Sequence, residues 1–103
     1  MYNIIIDMNV TWDEAKNLSN QKKHGVSFEE AETVFYDDDS VLFDDPDHSV
    51  GEERFLIIGV TDTEKLCIVS HCYRDEDVIR IISARKATKH EKQIYWDNLV
   101  GRL

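Results

Sequence analysis

Residues 79–92, IRIISARKATKHEK, hold the side chains best suited to chemistry on a phosphate. Five cations (Arg80, Arg85, Lys86, Lys89, Lys92) stand against one acid, Glu91, so this span carries +4 in a chain whose net charge is −9. Arg85 and Lys86 fall where a strand gives way to a helix, and there a phosphate can meet a guanidinium fork and a helix N-terminus together. Arg80 sits between Ile79 and Ile81, which claim the opposite face for the core, so its guanidinium must pair with an acid or face a wet surface. Arg54 on another strand poses the same choice, with Glu53 and Asp77 as pairing candidates. His24 closes a helix just before Gly25, where the helix dipole favours a charged imidazole able to donate a proton; a histidine that only caps the last carbonyls fits equally. Solvated strand and helix ends also carry Lys and Arg, so composition alone does not separate a site from a surface.

The elements that must position these groups are legible from pattern. Residues 79–85 alternate and are rich in β-branched residues, and Thr88 with Glu91 makes a capping box for a helix to the C-terminus. In that helix Glu91, Ile94, Tyr95 and Leu99 share one side, while Lys89, Lys92, Gln93 and Trp96 spread over the others. Residues 2–10 read as a strand around Ile4-Ile5-Ile6, on an edge or forming a short added ribbon. Thr11 with Glu14 predicts a first helix whose core side is Trp12, Ala15, Leu18 and Ser19, with Asn17 and Asn20 toward solvent. Gly25 stops it. Ser27 with Glu30 caps a second helix with an apolar stripe of Phe28, Ala31, Val34 and Phe35, and the three-residue join predicts a helical hairpin. Residues 41–43 form a short strand. Residues 54–61, 65–74 and 78–85 follow as an antiparallel meander with turns at 62–64 and 75–77. Simple alternation along the last strand puts Arg80, Ile82, Ala84 and Lys86 on one face and Arg85 on the other. The expected class is α+β, with an antiparallel sheet of about four to five strands and helices at the sequence ends.

At 103 residues, 42% hydrophobic and 32% charged, the chain fits one folded domain, 1–103. The apolar runs fall far short of a bilayer span, and the expected location is cytoplasmic, with no membrane contact. Cys67 and Cys72 lie five apart in one strand, on opposite faces, which speaks for reduced thiols. Residues 37–53 hold eight acids and no Lys or Arg, which is −8 of the total charge. Those aspartates lack the alternate spacing and the glycine of an EF-hand, so no metal and no cofactor is expected.

With the residues laid out, the chain resembles the BrnT toxin family of bacterial type II toxin-antitoxin systems. The resemblance rests on Trp12-Asp13-x-x-Lys16 and Asn20, then Lys23-His24-Gly25-Val26-Ser27-Phe28-Glu29-Glu30-Ala31. It continues through Asp47-His48-Ser49 and Glu53-Arg54-Phe55 to residues 81–88 and Glu91. It implies a compact fold similar to the RelE and ParE toxins and metal-independent endoribonuclease activity that arrests translation. It also implies inhibition by a BrnA antitoxin with a ribbon-helix-helix module, through which alone operator DNA would be reached. Residues 1–10 are longer than the family's usual lead-in, and the acidic 37–53 segment is awkward beside a polyanionic substrate.

Cleaving RNA without metal requires a base for the 2'-hydroxyl, an acid for the 5'-oxygen and fixed positive charge at the phosphate. His24, Arg54, Arg80 and Lys86 are the catalytic candidates, with His24 as the acid. Lys23, Arg85, Lys89 and Trp96 are the RNA-binding candidates; Tyr95 and Trp96 fit either base stacking or core packing. A non-catalytic module that grips a partner with the same fold is the alternative reading.

Overall fold

The computed structural model of the chain describes residues 9–101. Among them run β1 (Asn9–Thr11), α1 (Glu14–His24), α2 (Phe28–Glu32) continued by a 3-10 turn (Thr33–Tyr36), and β2 (Val41–Asp44). A short 3-10 turn (Pro46–His48), β3 (Phe55–Val60), β4 (Leu66–Asp75), β5 (Val78–Lys86) and α3 (Lys89–Val100) complete the order. The class is α+β, as the pattern predicts. The sheet runs β1-β5-β4-β3-β2. Three pairings are antiparallel, but β1 joins β5 in parallel, so the sheet is mixed. Most of the expected N-terminal strand, residues 2–8, lies outside the described residues; its end, β1, does occupy the sheet edge.

Facing residues of an antiparallel ladder share a side of the sheet, so the register sorts the side chains. One side carries Ile57, Cys67, Val69, His71, Ile79, Ile81 and Ala84, and packs against Val26, Phe28, Ala31, Val34 and Phe35 of the α2 region. The other carries Leu56, Ile58 and Ile68 at one end, where Tyr95 and Ile94 of α3 pack. The two thiols fall on opposite sides and are free, as expected. Gly59 is where the 3-10 turn presses on β3: a Cβ there would meet Val34 Cγ1 at 2.8 Å.

Local capping follows the sequence at three of four helix ends read from it. Ser27–Glu30 and Thr88–Glu91 both form complete capping boxes, and Gly25 takes a left-handed φ of 71° to close α1. The start of α1 differs. Asp13, not Thr11, is the N-cap, accepting from Lys16 N at 3.1 Å, while Thr11 belongs to β1.

The faces of α1 follow expectation only in part: Trp12 packs on the core, and Asp13, Lys16 and Lys23 face solvent, but the other positions are exchanged. Leu18 is 62% exposed, and Ala15 and Ser19 also face out, whereas Asn17 and Asn20 are buried. Backbone groups left open by the loop and the strand explain this, because buried peptide groups need partners more than this helix needs apolar burial. Asn17 Oδ1 accepts from Phe28 N at 2.8 Å and its Nδ2 donates to Glu14 and Glu29. Asn20 Nδ2 donates to Val26 O and Ala84 O, and its Oδ1 accepts from Ala84 N. Ala84 lies beyond the stretch of β5 that β1 covers, so Asn20 serves the strand edge there. As a result α1 packs chiefly on β5 rather than α2, and a helical hairpin is not a clear feature of the fold.

Candidate active site

The decisive local event is a bulge in β5. Ser70 faces Ser83 but His71 faces Ile81, so Ile82 is an extra residue and the alternation shifts by one. Arg80, Ser83 and Arg85 therefore share one side of the sheet, and Ile81, Ala84 and Lys86 the other. This overturns the simple alternation, which separates Arg80 from Arg85 and pairs it with Lys86.

Arg80 stands opposite Cys72, half-buried, and has no hydrogen-bond or ion-pair partner among the described residues. Leu56 faces Ser70, so Arg54, two residues earlier, turns to the same side. Burial holds the Cys72 thiol above its usual range; Glu52 reinforces this, and Arg74, Arg80 and Arg54 oppose it. Those four charged groups thus act on one buried thiol, whose raised pKa disfavours the nucleophilic thiolate. Glu52, rather than Glu53 or Asp77, is the acid beside Arg54, at 3.7 Å from Nε, and it stands equally far from Arg74 Nη1.

One step along the ladder, about 7 Å by strand geometry, a hollow of about 180 Å³ is lined by His24, Leu56, Ile68, Ser70, Ser83 and Arg85. His24 reaches it because Asn20 ties α1 to Ala84. Lys16, Ser19, Lys23 and His24 line a neighbouring hollow with Ile82 and Ser83. The structure thus gathers His24, Arg54 and Arg80, with Lys23 at the margin.

Other candidates part from this group. Arg85 shares the face, but its guanidinium is engaged by Glu91 in a two-point pair, 2.7 and 2.9 Å, that raises its pKa and lowers that of Glu91. That pair clamps the end of β5 to the first turn of α3. Lys86 instead lines a separate hollow of about 460 Å³ with Lys65, Leu66, Lys92 and Trp96. Trp96 is half-exposed and stands edge-on to buried Tyr95. Lys89 is exposed at the start of α3.

The acidic segment is partly structural. Asp37 Oδ2 accepts from Val60 N and from the Tyr95 hydroxyl, both at 2.8 Å, and Oδ1 accepts from Asp39 N. Val60 is about 20 Å along β3 from Arg54, so Asp37 joins the sheet to α3 well away from the arginines. Asp45 is buried against His48. Its backbone N–H donates to Arg54 O, and Ser49 Oγ accepts from Arg54 N, so the loop also sets where Arg54 stands. Sequence reading missed Glu52, Arg74 and Ser83; the alternation of Glu52 with Arg54 was the available signal.

A family model described as the ribonuclease toxin BrnT of type II toxin-antitoxin systems matches residues 12–91. The chain belongs to the BrnT family. The match spans every element from α1 to the capping box of α3, including Asn20, His24, Arg54 and Arg80. The crystal structure of the ribonuclease toxin BrnT from Brucella abortus superposes with a TM-score of 0.62 at 24% identity, covering 80% of this chain and 99% of that one. At that identity the shared property is the BrnT fold. Among curated proteins none matches the chain. A type II toxin is paired with a protein antitoxin, and membership of the family places this chain in such a system. Among the described residues no helix is long and apolar enough to cross a membrane.

Proposed function

We propose that this chain is a single-domain, cytoplasmic BrnT-type endoribonuclease that cleaves RNA without a metal and arrests translation. A BrnA-like ribbon-helix-helix antitoxin holds it in check and provides its only route to operator DNA. The observation that carries the reading is Arg80: a half-buried guanidinium without a partner among the described residues, on the face shared with Arg54 and next to the His24 hollow. A cation held by a sheet and not neutralised by any described residue is preorganised for an anion that arrives with the substrate. In this reading Arg80 and Arg54 hold the scissile phosphate and stabilise the charge that builds on it. His24 gives a proton to the departing 5'-oxygen. Lys23 steadies a neighbouring phosphate, while Lys86, Lys89 and Trp96 contact nucleotides further along the strand, with Trp96 as a stacking surface.

The test is the purified chain with a short RNA in EDTA. Cleavage that survives chelation, together with growth arrest when the chain is expressed alone and relief by the antitoxin, supports the reading. Loss of cleavage on chelation with restoration by Mg2+ defeats metal independence. Folded protein that leaves both RNA and growth untouched favours the non-catalytic module instead.

A further inference from the structure

RNA cleavage by 2'-hydroxyl attack needs a base as well as an acid, and the roles above leave the base unfilled. We infer that Glu52 is that base; the inference rests on the ribonuclease reading above. Carboxylates beside cations are common in this chain, and most are committed. Both oxygens of Glu91 accept from Arg85 at 2.7 and 2.9 Å. Glu30 is taken up by Lys65, Thr63 and its own capping box. Glu52 differs. Its two oxygens stand 3.7 Å from Arg54 Nε and 3.7 Å from Arg74 Nη1, near enough to be held by charge and too far for a hydrogen bond.

The matching donor is open too. Arg54 Nε is buried and has no hydrogen-bond partner among the described residues. An unfilled acceptor and an unfilled buried donor thus lie side by side without satisfying each other. The group that fits such a pair brings both an acceptor and a donor: a phosphate oxygen for Arg54 and an adjacent hydroxyl for Glu52. A ribonucleotide presents that combination at its 2'-hydroxyl and 3'-phosphate, and a deoxyribonucleotide does not.

Position agrees with the role. Glu52 stands 3.7 Å from Arg54 Nε, on the face where Arg80 stands opposite Cys72, and the His24 hollow begins at Ser70, one ladder step from Cys72 or about 7 Å. In the proposed arrangement the phosphorus is held at Arg80, and in-line displacement then requires Glu52 to approach from one side and His24 from the other. The 2'-O–H bond breaks and its proton passes to the Glu52 carboxylate. The freed oxygen pair forms the bond to phosphorus while the P–O5' bond breaks, and O5' takes the proton of the His24 imidazolium. The products are a 2',3'-cyclic phosphate and a 5'-hydroxyl, and water returns Glu52 and His24 to their starting states.

The experiment compares wild type with Glu52→Gln on a short RNA, on the same RNA carrying one 2'-deoxynucleotide, and on one with a 5'-bridging sulfur whose departure needs no proton. Glu52→Gln is expected to melt as wild type does. Its kcat should fall about 100-fold or more with KM little changed, its rate should lose the low-pH limb, and the sulfur substrate should not rescue it. The same substrate should rescue His24→Ala. A kcat within about threefold of wild type, or a loss confined to KM, overturns the inference and leaves Glu52 a charge that merely steadies arginines. Rescue of Glu52→Gln by the sulfur substrate overturns it as well. Wild-type protein that cleaves no RNA overturns the ribonuclease reading itself, whereas wild-type cleavage with an undiminished variant overturns only the role of Glu52.

Discussion

The side-chain amide of Asn20 closes on both backbone groups of Ala84: Nδ2 donates to Ala84 O at 2.8 Å and Oδ1 accepts from Ala84 N at 3.2 Å. A helix side chain thereby takes the place of a neighbouring strand where β1 has ended. The same amide also donates to Val26 O, so one residue holds α1, the loop after it and β5 together. Asn20→Leu strands three buried peptide groups, each costing on the order of 1 kcal/mol or more. We expect urea denaturation to show a loss of about 3 kcal/mol. Cleavage at temperatures where the variant stays folded should also fall, because α1 carries His24. A variant as stable as wild type would show that water replaces the amide.

For Arg80→Ala the expected result is the opposite: an unchanged melting transition and cleavage lowered about 100-fold or more, the scale of losing one preorganised donor. Arg80→Lys should not restore it fully, since an ammonium lacks the planar fork. If Arg80 instead supports the fold, melting will drop with activity.

Arg85 belongs to the fold by its pairing, so Arg85→Ala should act on stability first. Its guanidinium is 42% exposed and the Glu91 side chain 15%. With solvent screening the pair is worth about 1 kcal/mol, to be read from a double-mutant cycle with Glu91→Gln. Glu91 has its pKa lowered, first by the bond from Arg85. The contribution is therefore present above the unfolded carboxylate pKa and disappears as pH falls through the folded value. A coupling energy that persists in acid would contradict this.

His71 lies fully buried among Phe35, Phe55 and Tyr73, and burial lowers its pKa to about 4 from 6.5. The unfolded chain binds this proton more readily than the folded one, so stability should be full above about pH 6.5 and should decline as pH falls toward 4. The shift corresponds to about 3 kcal/mol. Melting curves from pH 7 to pH 4 should show the decline in wild type and a flatter profile in His71→Leu. Parallel profiles would assign the decline to other groups.

Much of the framework follows from local chemistry that neighbouring residues settle among themselves. Ser27 with Glu30, Thr88 with Glu91, and Gly25 mark helix ends because those side chains serve peptide groups within a turn. The meander strands announce themselves by alternation, and Arg80 is marked for a wet face by the isoleucines on either side of it. The residue types of the site, His24, Arg54 and Arg80, are therefore legible in the chain. Their meeting is not. One extra residue at Ile82 shifts the parity of β5, turning Arg85 toward Arg80 and Lys86 away, and no local pattern in IRIISARK shows which residue will bulge. The burial of Asn17 and Asn20 on α1 arises from peptide groups of Phe28, Val26 and Ala84 that only the folded chain brings near them. The pairing of Arg85 with Glu91, which takes one cation out of the site, likewise depends on how α3 leaves the sheet. Hydrogen bonds between distant segments decide these features, and such bonds have no signature in a stretch of sequence read alone.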